Sequence, residues 1–235
     1  MQFYSIHASS DLKIIGKHYP QLDRMFAGYN ALQPWAAFGL LPNGTGSPYT
    51  NADDFKLKYH AKATDWISGA AIGFSQMLIS DRFFNLLCNF NCPAWVVVDA
   101  TVNHRDKRLP YKYIHLSDRY PSFIDLRKSK FKIVDSAEEP NSVEQIIKSP
   151  QEIQEIRQRL HTENLKFSAQ NTLDKCSYLR YSAVFLDKQS IDKDFFLIPL
   201  SAKFIISERL KNAMEAEGIS GVQFTPFVEG APSYL

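Results

Sequence analysis

The sequence predicts an α+β protein, with mixed or antiparallel sheets and a few flanking helices. Segments of alternating or β-branched apolar residues, which are typical of strands, recur along the whole chain. Helix-start signals are few, and one of them, an apolar strand end followed by Ser, an acid and Arg, occurs twice. We interpret residues 1–235 as one domain that can divide into two lobes, each with a strand, a Ser-capped helix and a strand. The acidic, Pro-containing stretch near 135–149 is the candidate boundary between the lobes.

The predicted strands follow the apolar pattern of each segment. Residues 2–6 and 55–59 alternate between apolar and polar side chains, as half-buried strands do. Residues 95–98 read Trp-Val-Val-Val, a run typical of a buried strand. Residues 30–50 are rich in Pro and Gly and predict a long irregular connection. Further strands are expected at 111–116, 131–134, 183–186, 195–200 and 203–206.

The clearest helix begins after Ser149. Ser149 is a good N-cap, Pro150 suits the first helical position, and Glu152 can reach back to a free backbone N–H. The apolar residues that share one face of this helix are Ile153, Ile156 and Leu160.

Two segments of the chain, 77–87 and 204–214, resemble each other. Each runs from an apolar strand end through Ser, an acid and Arg, with Asn four residues after the acid. We expect Ser80 and Ser207 to cap helices, with the acid stabilised by the helix dipole. An apolar strand follows each helix, at 95–98 and 222–224. The alternative is coincidence, because Ser followed by an acid opens many helices; in either case the unit is architectural rather than catalytic.

The composition excludes several classes of protein. Of the 235 residues, 45% are hydrophobic, which is enough apolar surface to form a folded core. The 27 Lys and Arg nearly balance the 25 Asp and Glu, and a net charge of +2 argues against a dedicated nucleic-acid binder. Three Cys residues are too few for a disulfide framework.

The sequence predicts a cytoplasmic protein without membrane association. No basic segment followed by an apolar one opens the chain, so we expect no secretory signal. The longest apolar stretch, near 66–78, is too short and too polar to span a bilayer. We therefore expect reduced thiols at Cys88, Cys92 and Cys176.

The motifs indicate no catalytic, cofactor-binding or metal-binding residues. His104-Arg105-Asp106 matches the start of a kinase catalytic loop, but Tyr111 occupies the position where that loop needs a metal-binding Asn. We interpret this stretch as a polar turn between two strands. No dinucleotide fingerprint, Walker loop, nucleophile elbow or His-Glu-x-x-His motif occurs. Cys88 and Cys92 are interpreted as core residues rather than metal ligands.

Residues 105–132 carry nine Lys or Arg, interleaved with aromatic side chains. Such a stretch can bind nucleic acid or an acidic protein surface. The simpler interpretation, which we favour, is a solvated face that is balanced by acids elsewhere in the chain.

Four blocks of the sequence carry a family resemblance. They are 78–80, 111–115, the stretch Ile-Asp-Leu-Arg-Lys-Ser-Lys-Phe at 124–131, and the closing block 204–224 with Ile-Ser-Glu-Arg-Leu-Lys and Gly-Ile-Ser-Gly-Val. In this order they resemble the motifs of bacterial immunity proteins that are encoded beside polymorphic toxins, such as type VI and Rhs-repeat effectors.

The resemblance implies a non-enzymatic protein that neutralises a cognate toxin by stoichiometric binding. It also implies that the motifs preserve the fold while the residues that contact the toxin vary, so no binding residue is carried over. Candidate partner-binding residues come instead from loop aromatics and from the basic stretch: Tyr29, Trp35, Tyr49, Arg105, Arg108 and Tyr120. A homo-oligomer is compatible with the sequence but not indicated by it.

Two other functions remain open from the sequence. The first is a small cytoplasmic enzyme whose site is assembled from distant segments, for example around Cys176 or His104. The second is a weak nucleic-acid binder that uses residues 105–132.

Overall fold

The structure is a computed structural model that describes residues 2–24, 52–69, 76–116, 122–135, 138–169, 177–198, 200 and 203–230. In this part of the chain it has mixed and antiparallel sheets with a few flanking helices, which confirms the predicted α+β class. The chain forms two compact units. The first comprises Met1–Arg119, Asp192–Leu197 and Lys203–Phe227, and the second comprises Tyr120–Ile191, Ile198–Ala202 and Val228–Leu235.

The elements follow one another in this order: β1 (Phe3–Ala8), α1 (Leu12–Ile15), β2 (Leu22–Arg24), β3 (Ala52–Leu57), β4 (Trp66–Ile67), β5 (Gln76–Ser80), α2 (Asp81–Leu87), β6 (Trp95–His104), β7 (Lys107–Leu116), β8 (Lys130–Asp135), β9 (Glu138–Gln145), α3 (Pro150–Ala169), β10 (Ser177–Ala183), β11 (Phe195–Ile198), β12 (Lys203–Ser207), α4 (Glu208–Ala216) and β13 (Val222–Pro226). No helix among the described residues is both long and apolar enough to cross a membrane.

Two sheets make up the first unit. One has six strands in the order β2-β3-β6-β7-β5-β4, and the other has four in the order β11-β12-β1-β13. Strands β3 and β6 run parallel, whereas β5, β6 and β7 pair antiparallel. The strands predicted at 2–6, 95–98 and 111–116 are confirmed as parts of β1, β6 and β7.

The repeat predicted from the sequence is present in the first unit. The strand order β4-β5-β7-β6 of one sheet corresponds to β11-β12-β1-β13 of the other, and a Ser-capped helix follows both β5 and β12. The registers also agree, because Ser80 lies opposite Tyr111 and Ser207 lies opposite Phe3. The two copies differ in connection. The third strand of the first copy, β7, follows β6, whereas its counterpart β1 comes from the start of the chain.

Both predicted helix caps are formed. The Oγ of Ser80 accepts a hydrogen bond from the N–H of Phe83, and the Oγ of Ser207 accepts one from Leu210, each at 3.2 Å. Asp81 and Glu208 lie in the first turns of α2 and α4, as the sequence predicted.

The two copies share one hydrophobic core. Equivalent positions of the repeat are buried in the same cluster, and the pairs are Trp66 and Phe195, Met77 and Phe204, Ile79 and Ile206, Phe83 and Leu210, Leu87 and Met214, and Ile114 and Ile6. Each copy therefore buries its apolar face against the other.

A buried carboxylate in each copy holds the cap in place. Asp65 accepts hydrogen bonds from Ser80 Oγ at 2.6 Å, from Arg82 Nη2 at 2.6 Å, and from the N–H and Oγ of Ser220 at 2.8 Å. Ser80 and Arg82 belong to the same copy as Asp65, whereas Ser220 follows the helix of the other copy.

Asp194 makes the equivalent contacts in the second copy. It accepts hydrogen bonds from Ser207 Oγ at 2.7 Å and from the guanidinium of Arg209, and the backbone N–H of Asn91 donates to it at 3.1 Å. Asn91 follows α2 of the first copy. Each carboxylate thus ties its own helix to the turn after the other helix, and we call the two clusters the Asp clamps. Both are architectural, as the sequence predicted for the unit.

We expect the Asp65 clamp to make stability depend on acid pH. Burial would raise the pKa of Asp65, but hydrogen bonds from Arg82, Ser80 and Ser220 outweigh it and lower the pKa to about 2. Because the pKa is lower folded than unfolded, the stabilisation is full above pH ~4 and is lost as the pH falls towards 2. Asp65→Asn should lose less unfolding free energy between pH 5 and 2 than wild type in urea titrations. Equal losses would contradict this role.

The second unit contains a three-stranded sheet, β10-β8-β9, with α3 beside β10. The helix predicted after Ser149 is confirmed: Ser149 Oγ accepts a hydrogen bond from the N–H of Glu152 at 3.2 Å. The carboxylate of Glu152 accepts from the N–H of Lys148 at 3.0 Å, one residue before the cap.

Three expectations about the fold differ from the structure. Both repeat copies lie in the first unit rather than one in each lobe, because their strands bury a common core. Residues 135–149 lie inside the second unit, where β8 pairs with β9. The strand expected at 183–186 is instead β10, Ser177–Ala183. Beyond β10, the carbonyl oxygen of Val184 accepts a hydrogen bond from the N–H of Gly230, and Leu186 forms an isolated β-bridge with Ile124. These two buried residues therefore pair outside the three-stranded sheet.

The block 124–131 forms a capped turn that leads into β8. Asp125 Oδ1 accepts hydrogen bonds from the N–H groups of Arg127 and Lys128 at 3.1 and 3.2 Å. Ser129 Oγ accepts one from the N–H of Phe185 at 3.0 Å. Asp125 and Ser129 therefore have a structural role, because their side chains accept hydrogen bonds from backbone N–H groups of this turn and of the segment after β10.

Candidate functional site

Two of the six candidate binding residues lie in the part of the chain that the structure describes. Arg105 and Arg108 are exposed and lie at the hairpin between β6 and β7. The other four candidates, Tyr29, Trp35, Tyr49 and Tyr120, lie outside the described residues.

The hairpin turn is the polar turn predicted for His104-Arg105-Asp106. His104 pairs with Lys107 across the two strands, so Arg105 and Asp106 form the tip. Arg105 has a φ of 55°, a left-handed conformation that a tight turn requires of one of its residues. The guanidinium therefore projects from a hairpin whose two strands are each ten residues long.

Two other turns lie in series beside this hairpin, the end of α1 and the turn after β3. The N–H of Lys17 donates to His60 O at 3.1 Å and that of Lys62 donates to Ile15 O at 2.8 Å, which joins the end of α1 to the turn after β3. The turn after β3 then reaches the hairpin, where His104 Nε2 lies 3.4 Å from Tyr59 O.

Gly16 allows the end of α1 to approach the turn after β3 closely. Its φ is +94°, and a Cβ at this position would lie 2.4 Å from His60 O. Only glycine fits both the backbone conformation and the space, so the turns are held at a fixed separation.

Two of the three turns expose a Tyr side chain, and the ring of one of them contacts a cation of the hairpin. Tyr59 is 68% exposed and Tyr19 is 58% exposed. The guanidinium of Arg105 lies over the Tyr59 ring, 5.4 Å from its centroid, and the His60 ring meets Tyr59 edge-on at 4.9 Å. Tyr and Arg are the side chains that most often carry the binding energy of protein interfaces.

Positive charge is concentrated on the same turns. We define the basic–aromatic surface as residues 11–19, 56–62 and 104–108. These segments hold eight Lys or Arg and two Asp, a net charge of +6 with the three His neutral, whereas the whole chain carries +2. The remaining residues therefore carry a net negative charge, so positive charge is over-represented on this surface.

The basic–aromatic surface differs from the basic stretch that the sequence suggested. Residues 105–132 are divided between the two compact units, and Lys112 pairs with the carboxylates of Asp81 and Asp99. Tyr19 and Tyr59 were not among the sequence candidates. Nothing in their spacing marks them, because backbone contacts between distant turns bring them together.

The described cysteines differ in exposure. Cys88 is exposed at the end of α2, so its interpretation as a core residue was wrong. Cys92 is half-buried against the shared core, and its Sγ lies 3.4 Å from Leu87 O. Burial, together with the nearby charge of Asp194, raises the pKa of Cys92 to about 12, so this thiol is protonated at neutral pH. Cys176 lies outside the described residues.

Within the described ranges, no three His, Cys, Asp or Glu side chains are grouped so that they could hold a metal ion. Searches against protein-family models and against curated proteins found no match to this chain.

Proposed function

We propose that this protein is an immunity protein of a bacterial polymorphic-toxin system, which acts in the cytoplasm by binding a cognate toxin domain stoichiometrically and blocking it. The observation that carries the proposal is the basic–aromatic surface, where exposed Tyr and Arg side chains stand on three turns. Backbone hydrogen bonds join the turn after α1 to the turn after β3, and side-chain contacts of His104 and Arg105 join the turn after β3 to the hairpin. Such a surface is suited to holding another macromolecule.

The placement of the resembling blocks supports the proposal. The closing block forms β12, α4 and β13 and supplies Ser207 and Arg209 to one Asp clamp and Ser220 to the other. All three segments of the basic–aromatic surface lie outside the blocks. The resembling blocks thus build the fold, whereas the candidate binding residues lie outside them. This arrangement fits a family in which the binding residues vary from member to member.

The energetic demand on an immunity protein is high, because a small fraction of free toxin is harmful. Nanomolar binding corresponds to about −12 kcal/mol, usually from an interface of roughly 1,600 Å² with a few buried anchors. Tyr19, Tyr59 and Arg105 offer such anchors on fixed turns, so little entropy is lost when they are covered.

Co-expression tests the proposal. We expect the C-terminal domain encoded by the adjacent upstream gene to arrest growth when it is induced alone in a bacterial host. Expression of this protein should restore growth, and a tag on either chain should recover both. The empty vector is the control. A protein that is well expressed but neither restores growth nor co-purifies with that domain would overturn the proposed function.

A further inference from the structure

We infer that the basic–aromatic surface is the contact surface for the toxin, and that the toxin face it covers is rich in carboxylates. This inference rests on the proposed function. Charge complementarity gives the sign of the expected partner face, because a region of net charge +6, in a chain whose other residues are net negative, attracts an acidic face and repels a basic one.

The arrangement of Arg105 favours carboxylates as its ligands. The Cζ of its guanidinium lies over the Tyr59 ring, 5.4 Å from the ring centroid, in a cation–π contact. Carboxylates bind the edge of a guanidinium through two parallel N–H bonds, so stacking and carboxylate binding can occur together. Stacking also restricts the side chain before the partner arrives, which lowers the entropy cost of forming the ion pair.

A protein fits this surface better than a nucleic acid does. Leu12 is 53% exposed and Ile14 is also exposed beside the basic residues, and these aliphatic side chains complement apolar protein surface rather than phosphate. Asp11 and Asp106 are exposed within the surface and would repel a continuous phosphate backbone.

The test compares two triple charge reversals of equal net change. Arg105→Glu/Lys107→Glu/Arg108→Glu alters the surface, whereas Arg127→Glu/Lys148→Glu/Arg159→Glu alters three exposed residues of the second unit. All six side chains are exposed, so both variants should fold, and their thermal unfolding is measured first. The probe is the toxin domain of the adjacent upstream gene, with association and dissociation rates measured at 50 and 500 mM NaCl.

We expect the surface variant to bind with a Kd at least 100-fold higher, to associate at least tenfold more slowly at 50 mM NaCl, and to lose most of the salt dependence of association. The matched variant should remain within about threefold of wild type. Wild-type binding that survives the surface reversal would overturn this inference and leave the proposed function standing. Failure of the wild type itself to bind would remove both.

A nucleic acid is the competing occupant, and the probes for it are a 20-nucleotide poly(U) strand and a 20-base-pair DNA duplex. We expect neither to compete with the toxin domain at 150 mM NaCl. Micromolar or tighter binding that displaces the toxin domain and is lost in the surface variant would assign the surface to nucleic acid and overturn the inference.

Discussion

Asp194→Ala is expected to lower the free energy of unfolding by about 2–4 kcal/mol. The carboxylate is only 5% exposed, and its removal leaves the Asn91 N–H and the Ser207 hydroxyl without their acceptor. The guanidinium of Arg209 is 62% exposed and can return to water, which keeps the loss below that of a fully buried pair. Denaturant titration of the purified variant measures the change.

The repeat predicts a similar loss for Asp65→Ala, because Asp65 holds the equivalent cap in the first copy. The matched control is Asp99→Ala, since the Asp99 carboxylate is paired with Lys112 but is 87% exposed. It should change the stability by less than about 1 kcal/mol. Clamp variants that unfold at the same denaturant concentration as the control would show that the clamps do not stabilise the fold.

Gly16→Ala is expected to cost about 2–5 kcal/mol of stability and to weaken toxin binding as well. The new Cβ would meet the backbone of His60, Ala61 and Lys62 at 2.4–2.9 Å, and no side-chain rotation can relieve a clash with backbone. The turn after β3 must then move away from α1, which displaces Tyr59 within the basic–aromatic surface.

Gly218→Ala is the control for this effect. Gly218 also has a positive φ, 63°, but a Cβ there meets nothing within 4 Å. It should therefore cost only about 1 kcal/mol, from the backbone conformation alone, and leave binding unchanged. Equal stability losses for the two Ala variants would contradict the close approach at Gly16.

The strand-to-helix units were predictable because their signals are local. Ser80 and Ser207 cap the helices that directly follow them, and the apolar run that ends the strand at each joint indicates its burial. The carboxylates that complete the clamps were missed, because Asp65 lies 155 residues from its partner Ser220. A signal for them was present: each copy has an Asp followed by an aromatic residue, Asp65-Trp66 and Asp194-Phe195, ahead of the aligned segments.

The candidate site was only partly predictable for the same physical reason. Arg105 and Arg108 could be named because charged residues of a hairpin turn are exposed whatever the fold. Tyr59 and Lys17 belong to the surface only because backbone hydrogen bonds join turns more than 40 residues apart. No local pattern encodes that pairing.

Titration of the toxin domain with this protein tests the central claim, that the protein acts by occupying its target rather than by chemistry. The proposed function predicts a calorimetric end point at one molecule of protein per toxin domain, with a nanomolar or lower Kd and an unchanged toxin mass by mass spectrometry. A toxin domain that is covalently altered by a tenth of an equivalent of this protein, or a titration without binding, would contradict it.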